Sequence, residues 1–404
     1  MESHLAFTHF TGRRLHLGVC GSVAAYRAPD LVRQWQDAGA DVSVTLTPSA
    51  QKFITPLTFE ALGASPVYAP MFAPADTPFA HLEPGQCCHA MVVAPASATT
   101  LARIAAGLGD EMLACQALAF GGPLVVAPAM NPKMWANAAT QANVATLRAR
   151  GVNVIEPGCG RTACMEEGQG RLADLRLIHL AGLRALSPQD FAGRRVMLTL
   201  GPTREQWDGV RYWTNPSTGT MGAALAVAAW MRGAEVHAVC GPGAPWLPDG
   251  ITRHNVTAAH DMFNAAADLW PSVDDALFTA AVADFSPVPH GGEKFKKDSA
   301  TQGFTVSFTP NADILKTLGH QRREGQRIVG FAAETSGLEQ SMQRKLAAKN
   351  ADMIVGNLVG TADSGFATAT NRVCVLDRTG RQEAWPVLSK PDVAWRVLDW
   401  LASL

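Results

Sequence analysis

Charge is scarce in this chain. Only 17% of its 404 residues are Asp, Glu, Lys or Arg, and they nearly cancel, to a formal net charge of −1. So neutral a chain has no global field to draw in nucleic acid or an anionic membrane, and any phosphate must be held by local groups. Long apolar runs are missing as well. No stretch reaches bilayer-spanning length, and the opening MESHLAFTHFTGRRLHLGVC has no apolar segment behind a basic start. A cytosolic protein is the expectation. Composition gives no case for disorder either, because 47% of the residues are apolar. At this length two or three domains are expected.

The eight cysteines contain no CxxC pair, and Cys159 and Cys164 have no second pair downstream to complete a zinc site. In a reducing compartment all eight should be free thiols. Most lie in apolar contexts and read as small buried hydrophobes. Cys164 differs. It sits in GCGRTACMEEGQGR (158–171), among glycines, charges and turn formers. The residues alone leave it as a loop thiol or a chemical reagent.

What is present is a pattern used twice. RRLHLGVCGSVAAYRAPDLVRQWQDAGADVSVTLT reads as strand, glycine turn, amphipathic helix, turn and strand; it returns at residue 194 as RRVMLTLGPTREQ, then MGAALAVAAWMRGAEVHAVCG. Its apolar runs lack polar alternation, as expected for parallel strands buried on both faces. HAMVVAPA, PLVVAPA and VNVIEP continue the alternation in the first half; DALFTAAVAD, RIVGFAAE and ADMIVGN do so in the second. Two doubly wound α/β domains with mainly parallel sheets follow, spanning 1–188 and 189–404 and joined near ALSPQDFAG. RVCVLDRTGRQEAWPV predicts a hairpin turning at Thr379-Gly380, followed by a helix capped by Ser389.

Such domains bind ligands at the carboxyl ends of their strands. The first βα turn, Gly18-Val19-Cys20-Gly21-Ser22, is not GxGxxG, and the second strand ends in VTLTPSA with no acid for a ribose diol. A dinucleotide oxidoreductase is disfavoured. Gly21-Ser22, faced by the hydroxyls of Thr47 and Ser49, suits a single phosphate, and equally suits a plain tight turn.

GSVAAYR, PAMNPKMW and GRTACMEEGQGR resemble the flavin-dependent phosphopantothenoylcysteine decarboxylases, a flavodoxin-like flavoprotein fold of the cysteine decarboxylase type. TREQWDGVRYWTNPSTGTMG, AAVADF, EKFKK and VGFAAET with KLAAKNADMIVGN resemble phosphopantothenate–cysteine ligase. In this order they resemble the bifunctional enzymes of bacterial coenzyme A biosynthesis, across nearly the whole chain. The resemblance implies ligation of phosphopantothenate and cysteine with CTP through an acyl-cytidylate, then decarboxylation to phosphopantetheine with FMN. FMN oxidises the substrate thiol to a thioaldehyde, CO₂ leaves, and reduced flavin returns the enethiolate to a thiol, a step that needs a proton donor. The resemblance makes Cys164 that donor, on a glycine-rich flap. His81 would act during oxidation and decarboxylation, and Asn131 would bind the substrate carboxylate. Gly21, Ser22, Thr47, Ser49, Ser97, Thr99 and Thr100 would hold FMN.

In the ligase half, the resemblance places CTP, with Mg²⁺, on Asp284, Lys294, Ala312, Asp313, Ile314, Leu315, Phe331, Lys345 and Lys349. Lys345 and Lys349 are four apart on a predicted helix and share a face. Arg211 and Asn215 match residues linked to forming and consuming the acyl-cytidylate. No metal ligands are assigned. The family pattern is not kept everywhere: His89 stands for Asp, Thr99 for Asn, Met165 for Gly, Thr220 for Lys and Ala312 for Pro. The Thr220 change removes a cation beside anionic substrates, a loss of ~1–3 kcal/mol of binding if that contact is charge-assisted. Competing readings are a decarboxylase with an impaired ligase half, and a non-catalytic flavin-binding regulatory protein. The presence of both His81 and Cys164 argues against the latter. The expected partners are phosphopantothenate, cysteine and CTP, with no nucleic acid or membrane, and the resemblance implies a homo-oligomer, a dodecamer in the family.

Overall fold

The computed structural model describes residues 2–69, 71, 78–296, 303–334, 336–358, 365 and 368–404. It divides into two compact units. One is Phe7–Pro188; the other is Gln189–Leu404 together with the first residues up to Ala6. The short turn Ser3–Leu5 thus belongs with the C-terminal unit, where His4 Nε2 lies 2.8 Å from the carbonyl oxygen of Trp246.

The N-terminal unit is built on β1 (Arg14–Val19), β2 (Asp41–Leu46), β3 (Val67–Tyr68), β4 (Ala90–Ala96), β5 (Leu124–Pro128) and β6 (Asn153–Val154). They form one parallel sheet in the order β3-β2-β1-β4-β5-β6. All seven residues of β4 and five of the six in β1 are buried, the double-sided burial that their unbroken apolar runs predict. Glycines let a helix close on the sheet and two helices close on each other. A Cβ on Gly18 would fall 2.4 Å from Leu113 Cδ1, and one on Gly182 would fall 2.8 Å from the ring nitrogen of buried Trp35. Strand order reverses direction at β1, between β2 and β4, which opens a crevice beyond the carboxyl ends of those strands. The stretch read as a flap is a β-hairpin, β7 (Gly158–Arg161) paired antiparallel with β8 (Glu167–Arg171), and Cys164 is at its tip.

The C-terminal unit holds β9 (Arg195–Leu200), β10 (Arg204–Gln206), β11 (Tyr212–Thr214), β12 (Glu235–Cys240), β13 (Ile251–Asn255), β14 (Asp275–Phe278), β15 (Phe285–Pro287) and β16 (Phe308–Pro310). After them come β17 (Arg327–Glu334), β18 (Met353–Leu358), β19 (Thr370–Asn371), β20 (Val373–Asp377), β21 (Gln382–Ala384) and β22 (Leu388–Ser389). Eight of these make one sheet, β13-β12-β9-β14-β17-β18-β20-β21. It is parallel as far as β18 and ends in an antiparallel hairpin, β20–β21, that turns through Gly380 at φ +89°. Ser389 then caps the last helix, Lys390–Ala402, by accepting from the Asp392 amide at 3.1 Å. The helix Thr220–Met231, TMGAALAVAAWM, is apolar all round and buried nearly all round, packed between the sheet and the last helix. Gly222 lets it approach: a Cβ there would fall 2.3 Å from Thr279 Oγ1 and 2.4 Å from Leu200 Cβ. Among the described residues no helix is long and apolar enough to cross a membrane.

Candidate active sites

In the N-terminal unit the seven proposed cofactor residues gather on three neighbouring strand ends. The Cys20-Gly21-Ser22 turn leaves β1, with Ser22 Oγ accepting from the Ala24 amide at 3.3 Å. Gly21 lies directly against the turn that leaves β2, where a Cβ on it would fall 2.4 Å from Ser49 Cβ. Thr47 is buried and anchors that turn, its Oγ1 accepting from the Ala50 amide at 3.2 Å. Beyond β4, Ser97 Oγ caps a helix by accepting from the Thr100 amide at 3.2 Å, and buried Thr100 Oγ1 accepts from Cys20 Sγ at 3.2 Å. Thr99 and Ser49 remain exposed.

Beside them a cavity of about 740 Å³ brings together Ser22, Asn131 and Cys164. Asn131 Nδ2 donates to Cys164 Sγ at 3.2 Å and to Glu166 Oε2 at 2.7 Å, while its Oδ1 accepts from the Lys133 amide at 2.8 Å. The exposed Cys164 sulfur also sits 3.1 Å from Thr162 Oγ1. Thr162 first, then the Glu166 amide and Asn131, hold this thiol below its ordinary pKa. Other thiols move the opposite way: burial raises Cys20 to about 11 and Cys88 to about 12. All eight cysteines are free. Met165, next to Cys164, has φ +68°, a left-handed conformation that glycine adopts freely and a side chain pays for with ~1–2 kcal/mol. His81 does not line this cavity. It is half-buried in the turn before the helix Glu83–Cys87, and the carbonyl of its neighbour Ala80 accepts from Gln116 Nε2 at 3.0 Å.

In the C-terminal unit a cavity of about 400 Å³ takes in Asn215, Asp284, Ala312, Asp313, Ile314, Leu315, Phe331, Lys345 and Lys349. Asn215 Nδ2 donates to the carbonyls of Ala281 and Val282, at 3.2 and 3.1 Å. Asp313 caps the helix Ile314–His320, its Oδ1 accepting from the Lys316 amide at 2.9 Å, and its Oδ2 meets Lys349 Nζ at 3.3 Å. Lys345 Nζ donates to Glu334 Oε1 at 2.7 Å. Arg211 and Lys294 line no part of this cavity. Arg211 Nη1 donates to buried Asp208 at 2.7 Å, and exposed Lys294 precedes Phe295, whose amide donates to the same carboxylate at 3.0 Å. The last residue of the lysine run, Lys297, lies outside the described residues.

Sequence reasoning passed over two residues here. Lys390 lines the cavity at only 3% exposure, and burial lowers its pKa. Glu334, which pairs Lys345, is the other. Both read locally as ordinary charges, Lys390 because it follows a helix cap in an amphipathic stretch. Thr220 lines the cavity with its Oγ1 2.8 Å from Thr218 Oγ1, so among the described residues the cations lining it are Lys345, Lys349 and Lys390. Among the described residues no group of three or more His, Cys, Asp or Glu could hold a metal ion.

Two family models match the chain: a flavoprotein family over residues 6–180 and the DNA/pantothenate metabolism flavoprotein C-terminal domain over residues 191–404. A coenzyme A biosynthesis bifunctional protein CoaBC of Vibrio parahaemolyticus is 37% identical over 97% of this chain and 98% of its own. Its namesake from Bacillus subtilis is 38% identical over 97% of each. Among solved structures, a C-terminal domain of such a protein is 36% identical, covering 53% of this chain and 97% of its own, with a TM-score of 0.45. The flavoprotein match makes a flavin the cofactor of the N-terminal unit. With relatives matched from end to end at this identity, the chain belongs to the family of bifunctional coenzyme A biosynthesis enzymes.

Proposed function

We propose that the C-terminal unit joins phosphopantothenate to cysteine at the expense of CTP, and that the N-terminal unit decarboxylates the product to phosphopantetheine with FMN. The observation that carries this reading is the meeting of Asn131 and Cys164, 33 residues apart, on the wall of one cavity beside the Gly21-Ser22 turn. The turn suits a flavin with one phosphate. Gly21 opens it, and Ser22, Ser49 and Thr99 offer hydroxyls at adjoining strand ends. FMN, when bound there, supplies the two-electron oxidation and reduction of the substrate carbon–sulfur unit.

The chain's own groups then divide the work. Asn131 presents an amide N–H to the substrate carboxylate and orients it. Cys164 gives its Sγ proton to the enethiolate carbon left after CO₂ departs. Its depressed pKa makes it a stronger acid than an ordinary thiol, provided it is protonated when needed. When a substrate carboxylate takes the Asn131 amide, the thiol loses a donor and faces a new negative charge; both changes favour the protonated form. His81, to which the family resemblance assigns the earlier proton transfers, lies away from this cavity, in the turn before the helix Glu83–Cys87. In the C-terminal unit, Lys345, Lys349, Asp313 and Asn215 line one cavity, a set of charged and polar groups that suits a nucleotide and a carboxylate. Mg²⁺ carried on the triphosphate would neutralise part of its charge. Arg211 is held at Asp208, which also accepts from the amide of Phe295, the residue after Lys294, and both cations would meet the anionic substrates from outside this cavity.

Purified protein given phosphopantothenate, cysteine, CTP and Mg²⁺ should form phosphopantetheine by mass. Accumulation of phosphopantothenoylcysteine alone would remove the decarboxylase half of the proposal. No coupled product at all would remove the ligase half.

A further inference from the structure

Three polar side chains lie wholly inside the N-terminal unit, among strands and a helix that are otherwise apolar there. His16 on β1, Thr45 on β2 and Gln116 on the helix Met112–Ala119 are each 0% exposed. Their hydrogen bonds run in one direction, set by what each atom can do. Gln116 Nε2 donates to the Ala80 carbonyl at 3.0 Å, so its Oε1 is left to accept, and it does so from Thr45 Oγ1 at 2.7 Å. That uses the Thr45 hydrogen. Thr45 Oγ1 therefore accepts from His16 Nε2 at 2.9 Å, and His16 Nδ1 accepts from Ser43 Oγ at 2.8 Å. Burial pushes the His16 pKa down to about 3, which keeps the ring neutral, as this tautomer requires. Ser43 Oγ in turn lies 3.6 Å from Cys88 Sγ. Stability alone does not call for such a chain, because buried polar partners can be exchanged together for apolar groups of the same shape at little cost. What it adds is reach. It leaves the sheet at Ala80 and at Cys88, which bracket the segment that carries His81 and the helix Glu83–Cys87. Between those ends the segment is seated closely. Ala80 packs with Tyr68 and Met112, and a Cβ on Gly85 would fall 2.6 Å from the carbonyl oxygen of Ala119, the last residue of the helix that bears Gln116.

We infer that His16, Thr45 and Gln116 are positioning residues for His81, fixing the backbone of its turn from the buried face of the sheet. This rests on the decarboxylase reading of the N-terminal unit and on the part that the family resemblance gives His81 in oxidising the substrate. His81 lies away from the cavity of Asn131 and Cys164, so its place is set by the segment that bears it. The three buried residues are closed off from substrate; they act through the Ala80 carbonyl, one residue from the histidine.

The test follows anaerobic reduction of the bound flavin by phosphopantothenoylcysteine in the FMN-loaded full chain, read from flavin absorbance. Thr45→Val keeps the shape of the side chain and removes the link. It should slow reduction per bound flavin by about ten- to a hundredfold, the scale of a catalytic group misplaced by up to an ångström, and leave the half-saturating substrate concentration unchanged. Gln116→Met, which cuts the last link, should slow it alike. Thr45→Ser, which restores the hydroxyl, should recover most of the rate. Backbone hydrogen exchange over residues 80–88 should quicken in both slow variants, a readout independent of activity. A lowered melting temperature with unchanged reduction per bound flavin makes the network purely structural and overturns the inference. Unchanged exchange over 80–88, or no recovery in Thr45→Ser, also overturns it. Failure of both Thr45→Val and Gln116→Met to fold with flavin overturns it too, assigning the network to the core. If His81→Asn reduces its flavin at the wild-type rate, or the substrate leaves the wild-type flavin oxidised, what falls is the reading on which the inference rests.

Discussion

Replacing Gly21 with Ala tests the flavin seat directly. The added Cβ would sit 2.4 Å from Ser49 Cβ and 2.9 Å from the Ser49 carbonyl carbon. Ordinary carbon contacts lie near 3.5–4.0 Å, so one of the two turns must move by about an ångström. The obstacle is partly backbone and cannot rotate away. Overpacking of this kind costs about 1–3 kcal/mol. Because both turns belong to the proposed cofactor seat, that cost should appear as weaker flavin binding, about 5- to 150-fold at 1.4 kcal/mol per tenfold. The assay is titration of flavin-stripped protein with FMN, followed by flavin fluorescence, alongside a thermal melt of the stripped form. Gly121→Ala is the control, since a Cβ there meets nothing within 4 Å and its φ is not left-handed. Wild-type FMN affinity in the Gly21→Ala protein would show that the flavin phosphate does not sit at this turn.

Three further perturbations separate chemistry from scaffold. Thr162→Val removes the strongest of the donors that lower the Cys164 pKa, so the pH midpoint for alkylation of this thiol by iodoacetamide should move upward; an unmoved or lower midpoint contradicts the assignment. Lys294→Gln should cripple ligation and leave decarboxylation of supplied phosphopantothenoylcysteine nearly intact, because the lysine belongs to the C-terminal unit and Asn131 and Cys164 to the other. Comparable loss of both activities would mean that the two reactions are not chemically separate. Asp275→Ala strips a fully buried carboxylate from Arg194 Nε at 2.5 Å and Arg327 Nε at 2.6 Å, leaving two cations at the start of β14. The expected loss is about 3–5 kcal/mol, read from chemical unfolding, and a change below about 1 kcal/mol would show that the pair is solvated.

The sequence by itself determined the local elements and their class. Unbroken apolar runs such as AMVVAPA could only be satisfied by burial on both faces, and that requirement called for parallel sheets covered by helices. Spacing put Lys345 and Lys349 on one helix face, and both do line one cavity. Periodicity says which face an element buries, but not which distant element it will meet. The contact of Asn131 with Cys164 was therefore decided by tertiary structure, through the packing of the helix Pro132–Ala136 against β8, where the Gly170 backbone reaches the Met130 and Asn131 backbone. The glycines around Cys164 were legible as freedom to turn, yet only strand pairing made them a hairpin with the thiol at its tip. Lys390 shows the same divide from the other side. Its local sequence is that of a solvated charge, and it became a buried cavity amine because the helix it begins packs against the buried helix Thr220–Met231. Burial of that kind is a property of the assembled layers, and no short stretch of chain contains it.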